Sequence, residues 1–421
     1  MMYKLSTIIL LFALLACKAP DAEKVSILND GHLSHLTESF DSDGEALSAV
    51  WIYCEAPDYH LVGDEDEGFS CVDDVARAMV YLIKAQKEKP NDERRQQIEK
   101  FARFIFKMQA DNGYFYNFIF EDKSINTDHI NSTASANWWS WRAFWALSEL
   151  IQLDQTQISA SIKDKAVNSM QILLPHILSI CPGAEVMQEV DGVSFPSCIA
   201  MRGTDQLSIL VLGLCNYYQK FPTQDVKDFI LKACGLMGQM QLGDENNFPY
   251  YASMSWQNYW HAWGNLQAYS LLVAGDMLQD TTIINHGLRE VASFYPYYLK
   301  EWPSSFRLVR KGETYAAEDL AAYPQIAYNL RPMVFASLKA YEITGDQEYA
   351  TLAKSLGTWF FGKNQAGQKM YDVSSGRTFD GIVSPIEVNR NSGAESTIEA
   401  LLALQALDKH PDILSSIIPL K

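Results

Sequence analysis

Residues 204–219, TDQLSILVLGLCNYYQ, decide the fold. Leu207, Leu210, Val211, Leu214, Cys215 and Tyr218 recur at the i, i+3, i+4, i+7 spacing of an α-helix. The stretch is apolar on most of its faces, as a buried helix is. Residues 94–109, RRQQIEKFARFIFKMQ, keep the same period through Phe101, Phe104, Ile105 and Met108, but intersperse it with charge. That stretch reads as a helix with one face in water. The contrast repeats along the chain. Segments near 71–86, 136–152, 204–219, 257–275, 325–343 and 394–408 are of the first kind, and those near 94–109, 161–179, 225–241, 281–299 and 346–361 of the second. Six buried helices alternating with half-exposed ones predict an all-α fold, an (α/α)6 toroid in which each hairpin gives one inner and one outer helix. The sixth outer position is short, at residues 410–417, so the segment near 28–40 is expected to pack there. Strand patterns are few: Ser48–Tyr53, and Ala184–Val193 with the turn Asp191-Gly192.

The amino terminus reads as an address. Lys4 precedes an apolar run, Ile8–Leu15, too short to span a bilayer. Leu14-Leu15-Ala16-Cys17 resembles the lipobox of bacterial lipoproteins, which implies a signal peptide over residues 1–16, lipidation of Cys17 and a tether over 17–27. One domain, 28–421, is then expected to hang from a bacterial outer membrane by acyl chains, periplasmic or surface-exposed. The chain's formal charge of −17 argues against nucleic acid and anionic membrane surfaces as partners and makes a strongly acidic polymer a poor substrate. An exported chain permits disulfides, with Cys54/Cys71 and Cys181/Cys198 as the candidate pairs, while Cys215 and Cys234 fall in helical patterns and read as core. No cysteine or histidine spacing points to zinc, and no glycine-rich loop points to a nucleotide, so neither metal nor organic cofactor is expected. Asp64–Glu67 lacks EF-hand spacing and reads as a solvated acidic loop. A monomer is expected.

In a toroid of this kind the segments entering the inner helices gather at one end, where helix N-termini present free N–H groups. Those segments are crowded with carboxylates, amides and aromatics, the mixture that binds sugars. They supply the candidate binding residues Asn131, Trp138, Arg142, Arg202, Asp205, Trp256, His261, Tyr323, Asn389 and Asn391. Glycosidic cleavage needs two carboxyl groups, one protonated and one ionised. Asp73, Asp74 and Glu395 are the candidates. Ser70-Cys-Val-Asp73 and Ser392-Gly-Ala-Glu395 both fit capping boxes, which would give Asp73 and Glu395 structural work instead. Asp74 pairs with Arg77 at i+3, yet it lies in an apolar helix where an unpaired carboxylate is costly.

The tail Trp359–Asn364, with Tyr371-Asp372, Asp380-Gly381 and Val388-Asn-Arg-Asn-Ser-Gly-Ala-Glu-Ser-Thr397, resembles the last hairpin of six-hairpin glycosidases. It is most similar to bacterial members carrying a V-N-x-N-x-G-A-E-S-T segment, and Cys71–Ala78 fits the same group. A looser similarity to family 9 endoglucanases implies a base at Asp73 or Asp74, an acid at Glu395, and inversion at the anomeric carbon. The chain lacks that family's D-A-G-D motif. The leading expectation is a glycoside hydrolase acting on an oligo- or polysaccharide. A lyase or sugar epimerase using His261, Tyr259, Arg202 and Arg142 is a second reading, and a non-catalytic glycan-binding lipoprotein is a third.

Overall fold

The computed structural model describes residues 27–181, 186–198 and 203–417. Cys17, its signal segment and Arg202 lie outside them. Helices account for about half the chain: α1 Gly31–Leu36, α2 Val72–Glu88, α3 Asp92–Lys107, α4 Trp138–Leu150, α5 Ala160–Leu178, α6 Thr204–Lys220, α7 Gln224–Gln239, α8 Gln267–Leu278, α9 Thr281–Arg289, α10 Tyr295–Glu301, α11 Ala327–Thr344, α12 Gln347–Gly357, α13 Ala394–Asp408 and α14 Pro411–Ser415.

The helices of uniformly apolar pattern pack on one another in a closed order. α2 lies against α4, α4 against α6, α6 against α8, α8 against α11, α11 against α13, and α13 returns to α2. Of the amphipathic helices, α3 packs on α2, α5 on α4, α7 on α6, α9 on α8 and α12 on α11. The charged faces of these outer helices stay in water while Phe101, Phe104 and Ile105 of α3 are fully buried. α14 is short, and α1 packs on α13 beside it, which fills the sixth outer place as the sequence pattern anticipates.

One inner helix starts about ten residues later than its periodicity predicts. The apolar run near 257–275 is split by Gly264, whose φ of +69° no helix accommodates. Ahead of it Tyr259–His261 joins Ser305–Lys311 and Thr314–Ala321 in a three-stranded sheet, and Trp260 stacks on Phe306. The apolar residues are buried, but against a sheet. Other strands form short antiparallel hairpins. The expected turn Asp191-Gly192 joins Met187–Val190 to Val193–Pro196, and Thr37–Ser42 pairs with Glu45–Val50. Cys181 and Cys198 are disulfide-bonded. Cys54 and Cys71 are not, contrary to expectation: both are buried free thiols, the first donating to Tyr59 O and the second to Asp74 Oδ2. Cys215 and Cys234 are buried in the core.

The connections differ by end. Inner helices pass to outer ones through nine residues or fewer, whereas outer helices return to inner ones through long segments such as 108–137, 240–266 and 361–393. Every long segment ends at the N-terminus of an inner helix, so these N-termini and the extra chain share one end of the molecule.

Candidate active site

The first turns of the inner helices, and the residues just before them, converge on Tyr328. Arg142 of α4 donates from Nη2 to the Tyr328 hydroxyl at 2.6 Å. The guanidinium carbons of Arg77 (α2), Arg142 and Arg331 (α11) stand 5.2, 5.4 and 5.4 Å from the Tyr328 ring centroid. A Cβ on Gly264 would lie 2.9 Å from the same hydroxyl, so glycine is required there for the chain to pass.

Carboxylates surround these cations. Arg77 holds three: Asp74 at 2.6 Å, Glu395 at 3.1 Å and Glu399 at 3.1 Å. Glu399 is completely buried and is clasped a second time by Arg331, through Nε at 2.5 Å and Nη2 at 3.0 Å. Such bidentate pairing is the strong form of the contact. Asp73 Oδ2 lies 2.7 Å from Arg142 Nη1. Three guanidiniums therefore face four carboxyl groups, and the set carries one negative charge too many unless a proton joins it.

That proton has two natural seats. Burial raises the Asp74 carboxyl, against the opposing charge of Arg77. Burial also raises Glu395, again opposed by Arg77 and reinforced by the charges of Asp74 and Glu399. Glu399 moves the other way: burial pushes it up, but Arg331 and Arg77 together hold it below the usual carboxylate range. Exposure separates the two seats. Asp74 is 2% exposed and also accepts from the Cys71 thiol. The Glu395 side chain is 44% exposed, on a wall crowded by protein yet open to solvent. Glu395 is the raised carboxyl that a ligand can reach. Asp73, with an 18% exposed side chain, keeps Oδ1 without a hydrogen bond.

Neither expected capping box forms. Helix α2 begins at Val72 without a side-chain cap, and Ser70 Oγ instead accepts from Val50 N. At α13 the capping work goes to a remote residue, since Asp380 Oδ1 accepts from Gly393 N at 2.8 Å and Ser396 Oγ at 2.7 Å. Asp73 and Glu395 are thereby released from local duty.

A second polar pair joins α6 to the strand Tyr259–His261. His261 Nε2 is 2.9 Å from Asp205 Oδ2, and its Nδ1 is 2.7 Å from Trp263 O. Its ring stacks on Trp263 at 4.1 Å. Both nitrogens thus face acceptors, which fixes the orientation of the ring between Asp205 and Trp263 O.

The remaining candidates divide. Trp138 joins the cluster, with Arg142 5.0 Å over its ring. Asn391 does not: its Oδ1 accepts from Ala56 N and ties two loops together. Asn389 is exposed and accepts from Asn391 N. Trp256 and Asn131 are exposed on their connecting segments, and Tyr323 is half-buried ahead of α11. Sequence inspection missed Arg331, Glu399 and Tyr328, and took Arg77 for a mere i+3 partner. The signal was available, because Arg331 and Glu399 are charges inside apolar helical runs, as Asp74 is.

No protein-family model matches the chain, and no curated protein sequence matches it. Solved structures do. A sugar epimerase from a ruminal bacterium superposes with a TM-score of 0.63 at 13% identity, covering 91% of this chain and 97% of that one. Cellobiose 2-epimerase from Bacillus thermoamylovorans B4167 gives 0.60 at 12%, covering 86% and 92%. A GH76 α-mannanase from Bacteroides thetaiotaomicron gives 0.52 at 10%, covering 83% and 88%. At these identities the likeness shows the fold alone, a mainly helical arrangement shared with sugar epimerases and glycoside hydrolases.

Proposed function

We propose that this chain is a glycoside hydrolase built on an (α/α)6 toroid, with Glu395 as general acid and Asp73 as general base. The reading rests above all on Glu395, a carboxyl open to solvent on one side that shares the Arg77 guanidinium with Asp74 and Glu399. Protonated Glu395 gives its proton to the leaving glycosidic oxygen. Asp73, oriented by Arg142 and with an 18% exposed side chain, activates the attacking water, and the anomeric carbon inverts. Asp74 holds Arg77 and raises Glu395, so of the two adjacent aspartates the more exposed one is assigned the base. Trp138 offers an aromatic face to a sugar ring.

Epimerisation on this fold finds less support. It needs a base that removes a carbon-bound proton, and His261 is bonded to Asp205 and Trp263 O rather than to the Arg77–Glu395 cluster that carries the hydrolase reading. A purely glycan-binding role rested on both carboxylates being spent as caps, and neither is. The lipidated Cys17, with the outer-membrane location it implies, belongs to the same proposal: an anchor would keep the enzyme where envelope or imported glycans pass. Mass spectrometry of the amino-terminal peptide from membranes, against a Cys17→Ser variant found in the soluble fraction, tests the anchor.

The test of the function is a glycan panel incubated with the purified chain. New reducing ends are expected, of inverted anomeric configuration by proton NMR at early times. A panel that yields epimerised or unsaturated sugars and no new reducing ends removes the hydrolase assignment.

A further inference from the structure

Charge is not spread evenly over this molecule. The segments 27–71, 108–137, 179–203, 240–266, 302–326 and 361–393, which lead into the inner helices, contain 26 Asp and Glu against 9 Lys and Arg. Their surplus equals the formal charge of the whole chain, −17, and the rest of the sequence balances to zero. Segment 27–71 alone holds eleven carboxylates and no Lys or Arg. The acidity belongs to the connections that end around the active site.

Several of the cations among these segments are already paired. Arg307 is gripped by Asp191, Glu318 and Asp319, Lys311 by Glu318, and Lys123 by Glu38. Inside the site, Arg77 and Arg142 are paired with carboxylates, and Arg331 is 1% exposed beneath Glu399. A ligand carboxylate or sulfate thus finds no unspent guanidinium among the described site residues and approaches through a negative field. A ligand ammonium meets the opposite. Fields of this kind, focused by a cleft, change encounter rates by about 10–10³-fold and weaken with salt.

We propose that the site selects glycans by charge: those bearing free amino groups first, neutral ones second, and uronate- or sulfate-bearing ones last. This rests on the glycoside hydrolase reading for the location of the site, and it names the substrate class of that site.

The experiment measures equilibrium binding of the full-length chain in neutral detergent to oligosaccharides matched in length and linkage. Each set has a free-amine, an N-acetylated and a uronate form, over several linkages. At about 10 mM salt, where the Debye length is about 30 Å, the amine form is expected to bind at least about tenfold tighter than the uronate form. At about 1 M salt the gap should close to within about twofold. A Glu65→Lys, Asp66→Lys double variant, changed at two exposed loop residues with no part in the chemistry, should narrow the low-salt gap several-fold. Equal or tighter binding of the uronate form, an order indifferent to salt, or no binding in any set overturns the inference. Product analysis on the same samples keeps the two ideas apart. The expected binding order without bond cleavage removes the hydrolase reading and leaves charge selection standing, whereas preferred cleavage of uronate glycosides does the reverse.

Discussion

Arg77 and Glu395 stand 318 residues apart in sequence, yet Nη1 of the first donates to Oε2 of the second at 3.1 Å. The contact lies where α13 returns to α2, and it fixes the carboxyl proposed as the acid against the first inner helix. A catalytic acid placed there depends on the ring being closed.

The first prediction follows from exposure. Glu395→Gln removes the transferable proton but leaves Arg77 with Asp74 and Glu399, so folding should survive. Turnover should fall on the order of 10²–10⁴-fold, while the melting temperature shifts by no more than a degree or two. Asp73→Asn should lose turnover to a similar extent. Unchanged initial rates in both variants would falsify the assignment.

Asp74 should tune Glu395 without reacting itself. Its negative charge disfavours ionisation of Glu395 and so raises that carboxyl. The enzyme needs Glu395 protonated, so the rate should decline as pH rises through the raised value. Asp74→Asn removes the neighbouring charge and lowers Glu395, which moves the alkaline limb of the pH–rate profile to lower pH with modest loss at the optimum. If Asp74 is instead the base, the same variant loses nearly all activity and the limb stays in place.

Glu399 carries the opposite expectation. It is fully buried and is the carboxylate that clasps Arg331, as well as a partner of Arg77. Glu399→Gln takes the carboxylate from the buried Arg331 guanidinium while Arg77 keeps Asp74 and Glu395, and breaking a buried pair this way costs about 3–5 kcal/mol. Urea unfolding should show that loss. A variant as stable as the parent would mean that Arg331 finds another partner.

How far the sequence disclosed all this depends on which force set each feature. Inner helices were readable because burial on every face leaves the dense apolar record seen at 204–219, and their order followed from alternation. Helix α8 was misplaced at its start, since periodicity registers that Trp260 is buried but not that Phe306 of a sheet buries it. Capping boxes failed for a related reason. Ser70 and Ser392 have the right spacing, but the groups that compete for them, Val50 N and Thr378 N, are distant in sequence. The charged hub was half visible. A lone charge in an apolar helix can be noticed residue by residue, as Asp74 was, whereas its partners on α11 and α13 appear only once the ring closes. Arg202 and the Cys17 anchor lie outside the described residues and keep the status of expectations.

The last prediction concerns Glu290, which is fully buried in a π-helical turn, Glu290–Phe294, between α9 and α10. Its carboxyl takes hydrogen bonds from Ser253 N at 3.1 Å and Ser253 Oγ at 2.6 Å. The next two residues hold the active-site end: Thr204 Oγ1 donates to Met254 O, and Thr204 N to Ser255 O. Burial raises Glu290 from 4.5 to about 7, against the bonds from Ser253 that favour its charge. A carboxyl raised in this way binds its proton more tightly in the folded chain than in the unfolded one. Its contribution to stability is therefore greatest below pH 4.5, declines as pH rises to about 7, and is level beyond. The decline amounts to roughly 3 kcal/mol at 1.36 kcal/mol per unit. Glu290→Gln keeps a carbonyl for Ser253 N and cannot ionise. Asp74 and Glu395 are also raised and tilt both proteins alike, so the difference between the two stability curves isolates Glu290. Urea midpoints measured from pH 5 to pH 8 should show the variant gaining on the parent steadily with pH. Parallel curves across that range would mean that Glu290 is already ionised in the fold, with Ser253 supplying enough stabilisation to offset its burial.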